Sequence, residues 1–169
     1  MARIDGAPAV WHPLPPALAA ELGWTIASFG HVEDMLKRAI FAMDRRRLPS
    51  AIGESDFRAW LRRMDHVAAD SLGTLIERME RTLARENIAD PDLLGQLDEI
   101  KTWRNLLCHA AWQPVAGGWQ PRFANTQGEI FEQTMDASDL AAIRAMTLDA
   151  ARRVARFIEA IDESNGVME

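Results

Sequence analysis

Only one cysteine, Cys108, occurs in 169 residues, so the chain can form neither an internal disulfide nor a multi-cysteine zinc site. Long apolar runs are missing as well: no uninterrupted segment approaches the roughly 18 to 20 residues that a bilayer span needs. The N-terminal MARIDGAPAVWHPLPP has no apolar stretch ahead of its prolines, which argues against a signal peptide. The expectation is a cytoplasmic protein that does not engage a membrane. Lysine is scarce, with only Lys37 and Lys101 among 19 basic residues. The formal net charge of −6 speaks against a broad nucleic-acid-coating surface, because phosphate binding is mostly cationic neutralisation. A local grip on a few phosphates remains compatible with it. No glycine-rich phosphate loop is present, since Gly117-Gly118 lacks the strand–helix context. ATP or dinucleotide chemistry is therefore not expected, and no cofactor is.

What the chain does contain is 48% hydrophobic and 26% charged residues, the make-up of a globular domain long enough to bury its own core. Residues 1–14 read as a proline-rich lead-in and 15–169 as one helical domain. From Leu18 onward, Leu22, Ile26, Phe29, Leu36, Ile40 and Met43 recur at threes and fours with one gap, which predicts a long first helix. Pro49 and Gly53 mark a connection. A second helix is expected with Phe57, Leu61, Met64, Ala68, Leu72, Leu75, Met79 and Leu83 facing inward. Asp90-Pro91 signals the start of a third, with an N-capping carboxylate and proline at the first helical position. Its inner face reads Leu93, Leu97, Ile100 and Leu107.

The rhythm changes between 112 and 134. Gly117-Gly118 separates two short segments, and Ile130–Thr134 follows Gln127-Gly128, which predicts a β-hairpin or a small three-stranded insert. Asp136 caps a last helix whose inward residues are Leu140, Ile143, Met146, Ala150, Val154, Phe157 and Ile161. The expected architecture is all-α, four helices with a small insert before the last.

Two of the apolar stripes carry a charge. Position 33 of the first helix is Glu33, and position 104 of the third is Arg104. An unpaired ion on an inner face loses several kcal/mol of hydration, so an acid and a base in such slots are expected to meet each other or a ligand. A structural ion pair explains the same pattern. The segment Trp103-Arg104-Asn105-Leu106-Leu107-Cys108-His109 adds a chemical argument. Arginine clamps phosphate without losing its charge, and histidine moves protons near neutrality. RNA cleavage by its own 2′-hydroxyl needs those two services and no metal. Residues five apart on a straight helix point about 140° away from each other. Either the helix unwinds after Leu107, or the two residues combine with copies from a second subunit.

The RNLLCH segment at 104–109 resembles the signature of HEPN domains, an arginine followed by a polar residue and, after a short spacer, a histidine. The helical layout and the opening-helix segment FGHVEDMLKRAI are also similar to members of that family. The resemblance implies a four-helix bundle that forms a homodimer, with two motifs facing across a cleft. It implies a metal-independent ribonuclease in which His109 is the acid/base group and Arg104 neutralises the scissile phosphate. The polar position, Asn105, would orient the histidine or contact phosphate. The expected partner is RNA, with an antitoxin or nucleotidyltransferase partner in a toxin–antitoxin or phage-defence setting. Glu33 is no part of the motif; it is a candidate only from its stripe position, as the group that fixes Arg104. Other HEPN domains do not cleave, and the alternative is a non-catalytic dimeric module that binds RNA, a nucleotide or a protein.

Other residues read more plainly. Arg45, Arg46, Arg47, Arg58, Arg62 and Arg63 cluster within twenty positions and read as a solvated connection between helices. His12, His31 and His66 lie off the stripes and are expected at the surface. Cys108 reads as a small buried thiol. Adjacent Cys108 and His109 diverge too far to chelate one ion, so no metal site is expected. Of six tryptophans, Trp24, Trp60 and Trp103 suit core or interface packing. Trp112 and Trp119, which could stack on bases, are better explained by packing of the insert on the bundle.

Overall fold

The structure, a computed structural model, describes residues 12–123 and 131–166, with side chains as far as 161. Among these residues there are five helices and one hairpin: α1 (Pro16–Arg45), α2 (Glu54–Ala69), α3 (Leu72–Arg85), α4 (Pro91–His109), β1 (Ala111–Val115), β2 (Gly118–Arg122) and α5 (Ala137–Gly166). None of the described helices is long and apolar enough to cross a membrane. Gln127-Gly128, Ile130 and most of the proline-rich lead-in lie outside the described residues.

The predicted second helix is two helices. Asp70 and Ser71 are both extended, and the Ser71 hydroxyl accepts from the Thr74 N–H at 3.5 Å to cap α3. Burial shows why the break went unseen in the spacing. The inner face of α2 is Trp60, Met64 and Val67, while Phe57 and Leu61 are each 40% exposed. That stripe meets the α3 stripe at Leu72 after a gap of five, a phase shift that one straight helix cannot absorb. Phe57, Leu61, Met64, Ala68 and Leu72 run on without a gap, but they do not form the buried face. Trp60 is held instead between Phe41 and Phe57, its indole N–H donating to Asp44 Oδ2 at 3.1 Å.

The first helix buries Leu18, Phe29, Leu36, Ile40 and Met43 as expected, but its buried face widens toward other residues in the first half. Its buried residues are Leu18, Glu21, Thr25, Ser28, Phe29, Val32, Leu36, Ala39, Ile40 and Met43. In the first half Glu21, Thr25, Ser28 and Val32 each lie one position before a residue of the expected stripe, leaving Ile26 39% and Trp24 60% exposed. Polar groups are tolerated there because α5 answers them. Thr25 Oγ1 donates to the Leu140 carbonyl at 3.1 Å and Glu21 pairs with Arg144 at 2.5 Å. Buried polar atoms with partners avoid the desolvation penalty that makes an unpaired one costly. Thr25 meets Leu140 near the helix starts, and Met43 shares a crevice with Phe157 and Ile161 near the ends, so α1 and α5 run parallel.

Helix α4 runs antiparallel to α5, as the ladder of contacts from Asp90–Arg153 to Gln96–Asp149 indicates. Its start is as expected: Pro91 occupies the first turn, and Asp90 Oδ1 accepts from the Leu93 N–H at 3.0 Å. The same oxygen takes Arg153 at 2.6 Å, with about a quarter of each side chain exposed. Asp90→Ala should therefore lose both a cap and a charge-assisted bond, about 2 kcal/mol together. In a thermal melt that corresponds to a drop of roughly 4–8 °C for a domain of this size. Asp90→Asn, which keeps the cap, should fall by about half as much; equal losses in the two variants would rule out a capping role.

The insert is a two-stranded antiparallel hairpin with Val115 opposite Gly118. Gly117 at φ 95° makes the reversal in a region that favours glycine. Of the expected third segment, the described residues show one bridge, Trp119 with Met135, and a backbone bond from the Phe131 N–H to the Phe123 carbonyl at 3.1 Å. Trp112 and Trp119 are half-buried and packed against the core, as the sequence suggested. Asp136 caps α5, accepting from the Ser138 and Asp139 N–H groups at 2.7 and 3.0 Å, while Asp139 returns a bond to the Asp136 N–H.

Candidate functional site

Helix α4 brings the candidate residues to one end of the bundle, where its last turn leads directly into β1. Leu93, Leu97 and Ile100 are fully buried and Leu107 nearly so, and Arg104 stands between Ile100 and Leu107 on that line. It is half-buried, and among the described residues it makes no hydrogen bond or ion pair. An arginine partly withdrawn from water without a carboxylate partner is a cation whose charge is not compensated locally.

Glu33 does not supply that compensation. It is half-buried, one position past Val32 on α1, and forms no ion pair among the described residues. The expectation that Glu33 fixes Arg104 is corrected: no ion pair joins them among the described residues, and Glu33 lies beside the buried line of Phe29, Val32 and Leu36. The acid that does stand on the buried stripe is Glu21, which the apolar spacing passed over because it precedes Leu22, and its partner is Arg144 rather than Arg104. Arg144 also lies over the exposed Trp24 ring, 5.8 Å from its centroid.

His109 is exposed and is the last residue of α4, with Ala110 in an extended conformation after it. Its position one helical turn from Asn105 makes the two surface neighbours. Asp98, Thr102, Asn105 and His109 are all exposed and form the water-facing side of the helix. Cys108 is exposed too, correcting the expectation of a buried thiol. Leu106 and Leu107 take the buried positions of that turn, so the next residue turns outward. His31 and His66 are exposed, as expected.

The helix stays regular through His109 and does not unwind after Leu107. Arg104 and His109 are therefore separated by about 7.5 Å along the axis and about 140° around it. One copy of the helix does not present them side by side.

Two features surround this end. Trp103, next to Arg104, lines a cleft of about 380 Å³ with Phe131, Met135 and Met146, and Glu99 and Asp139 add carboxylates to its wall. The Trp103 indole donates to Glu99 at 3.3 Å and meets Phe131 edge-on. On β1, the Trp112 indole N–H is the one buried side-chain polar atom without a partner among the described residues. The sequence assigned both tryptophans to packing; that Trp103 also lines a cleft follows from Phe131, which folds against it. Comparison with known proteins adds no assignment: the chain matches no protein-family model, no curated protein and no solved structure.

Proposed function

We infer that the chain is a metal-independent endoribonuclease of HEPN type, acting on RNA as a homodimer. The observation that carries the reading is the state of α4: an uncompensated, half-buried Arg104 and an exposed His109 at the end of one unbroken helix. A buried Arg104–Glu33 pair would have consumed the cation and favoured a purely structural role. Its absence among the described residues leaves Arg104 able to take a phosphate, for which the guanidinium fork is suited.

The chemistry uses two residues in defined roles. His109 removes the proton from a 2′-hydroxyl, whose oxygen attacks the adjacent phosphorus. The bond from phosphorus to the 5′-oxygen breaks, leaving a 2′,3′-cyclic phosphate, and the departing oxygen takes up the proton that His109 has accepted. Arg104 stabilises the negative charge that builds on the phosphorane oxygens. Asn105, one turn from His109, restrains the imidazole. This reading requires a second copy, because the straight helix separates the two groups of one chain.

The test is incubation of purified protein with end-labelled tRNA and mixed-sequence RNA in EDTA. Fragments with 2′,3′-cyclic phosphate and 5′-hydroxyl ends are the expected result. Intact RNA after exposure to folded dimer would refute the cleavage reading and leave a binding module.

A further inference from the structure

A second cleft, of about 270 Å³, lies between α1, α2 and α3, and none of the candidate cleavage residues lines it. Its floor contains Ile40, Val67 and Thr82, all buried, with half-buried Met64 beside them. Arg63 of α2 stands on one side; Arg78, Arg81 and Arg85 of α3 stand on the other. Asp44 is the one carboxylate in the lining. Both of its oxygens are engaged, Oδ2 by the Trp60 indole and Oδ1 by Arg85, each at 3.1 Å. The remaining acids that hold these arginines stand outside the lining: Asp70 on Arg78, Glu86 on Arg85, and Glu77 on Arg81 through an exposed contact of 3.7 Å. Arg63 has no ion pair among the described residues. Thr82 is 7% exposed, and its hydroxyl, which is not sealed from the cleft, has no hydrogen-bond partner among the described residues.

We propose that this cleft binds a short phosphate chain, of the kind carried by a nucleoside triphosphate or by a triphosphorylated RNA 5′ end. The lining carries four guanidinium groups against one carboxylate; Asp70, Glu77 and Glu86 outside it offset three of them, and Arg63 has no ion pair among the described residues. Guanidinium donors that converge on one concave site can exchange partly exposed carboxylate partners for a more highly charged compact anion. Residues 78, 81 and 85 fall three and four apart, so they form one row of roughly 10 Å along α3 at 1.5 Å per residue. A row of that length matches several phosphates in sequence better than a single one. Arginine forks supply paired donors to phosphate oxygens, and the Thr82 hydroxyl adds a donor at the floor. The exposed Glu77–Arg81 contact contributes little on its own and releases Arg81 at small cost. The proposal does not rest on Arg104 or His109.

Calorimetric titration tests it with inorganic tripolyphosphate, ATP, GTP, and an RNA decamer bearing either a 5′-triphosphate or a 5′-hydroxyl. The wild type should bind tripolyphosphate with an affinity that falls as salt rises. The double variant Arg63→Ala/Arg81→Ala alters two exposed side chains and should melt like the wild type while binding at least tenfold more weakly. Thr82→Val should weaken binding several-fold. His109→Ala should bind as the wild type does, which separates this site from the cleavage reading. Tighter binding of ATP or GTP than of tripolyphosphate would identify a free nucleotide as the source; a preference for triphosphorylated over hydroxyl-ended RNA would identify the RNA terminus. Absence of binding to every probe at millimolar concentration, or equal affinity in the wild type and the double arginine variant, would overturn the proposal.

Discussion

His109→Ala should lower RNA cleavage in EDTA by two to four orders of magnitude, the usual range for removing a general acid/base group. The fold should be indifferent to the change. His109 is exposed, ends α4 and makes no hydrogen bond among the described residues, so the stability cost is confined to a few tenths of a kcal/mol from the lost interaction with the helix terminus. The informative result is the combination of an unchanged melting curve and dimer with activity reduced at least a hundredfold. Retention of activity within a fewfold of wild type would remove His109 from the mechanism. Asn105→Ala should have a smaller effect, because that residue acts on the imidazole rather than on the phosphate.

A second large effect follows from the regularity of α4. If the groups of one chain point about 140° apart, each active centre takes its arginine and its histidine from different copies. Arg104→Ala and His109→Ala homodimers should each be nearly inactive. A heterodimer of the two, purified through separate affinity tags, retains His109 on one chain and Arg104 on the other. It should recover to within about tenfold of wild type, a gain of tenfold or more over either parent given losses of the size expected for acid/base removal. Failure to recover, with the heterodimer intact, would mean that one chain must supply both groups. The composite site would then be wrong even if cleavage were real.

The sites of these predictions were unevenly visible in the sequence. Asp90-Pro91 and Asp136 announced their helix starts because capping is local: the carboxylate and the N–H groups it satisfies lie within four residues. The hairpin was legible for the same reason, through Gly117 and the short segments on either side of it. Arg104 stood out because a charge interrupts the regular line of Leu93, Leu97, Ile100 and Leu107, and its half-burial agrees with that placement. The break at Ser71 was locally signalled as well, by a capping hydroxyl ahead of Thr74, but the apolar spacing across it imitated one continuous helix.

The helical segments apart from the α2–α3 break, the caps of α4 and α5, and the Arg104-to-His109 spacing along one helix were written into the sequence by itself, since each depends on interactions within a few residues. Which face of α1 turns inward, which carboxylate each arginine meets, and the gathering of Arg63, Arg78, Arg81 and Arg85 around one cleft were decided only by tertiary structure. The reason is that a stripe of side chains records hydrophobicity, whereas burial depends on what lies opposite. Leu22, Ile26 and Glu33 were a better stripe on paper than Glu21, Thr25 and Val32. α5 chose the second by offering Arg144 and the Leu140 carbonyl to polar groups that no pattern of apolar residues would have placed inside.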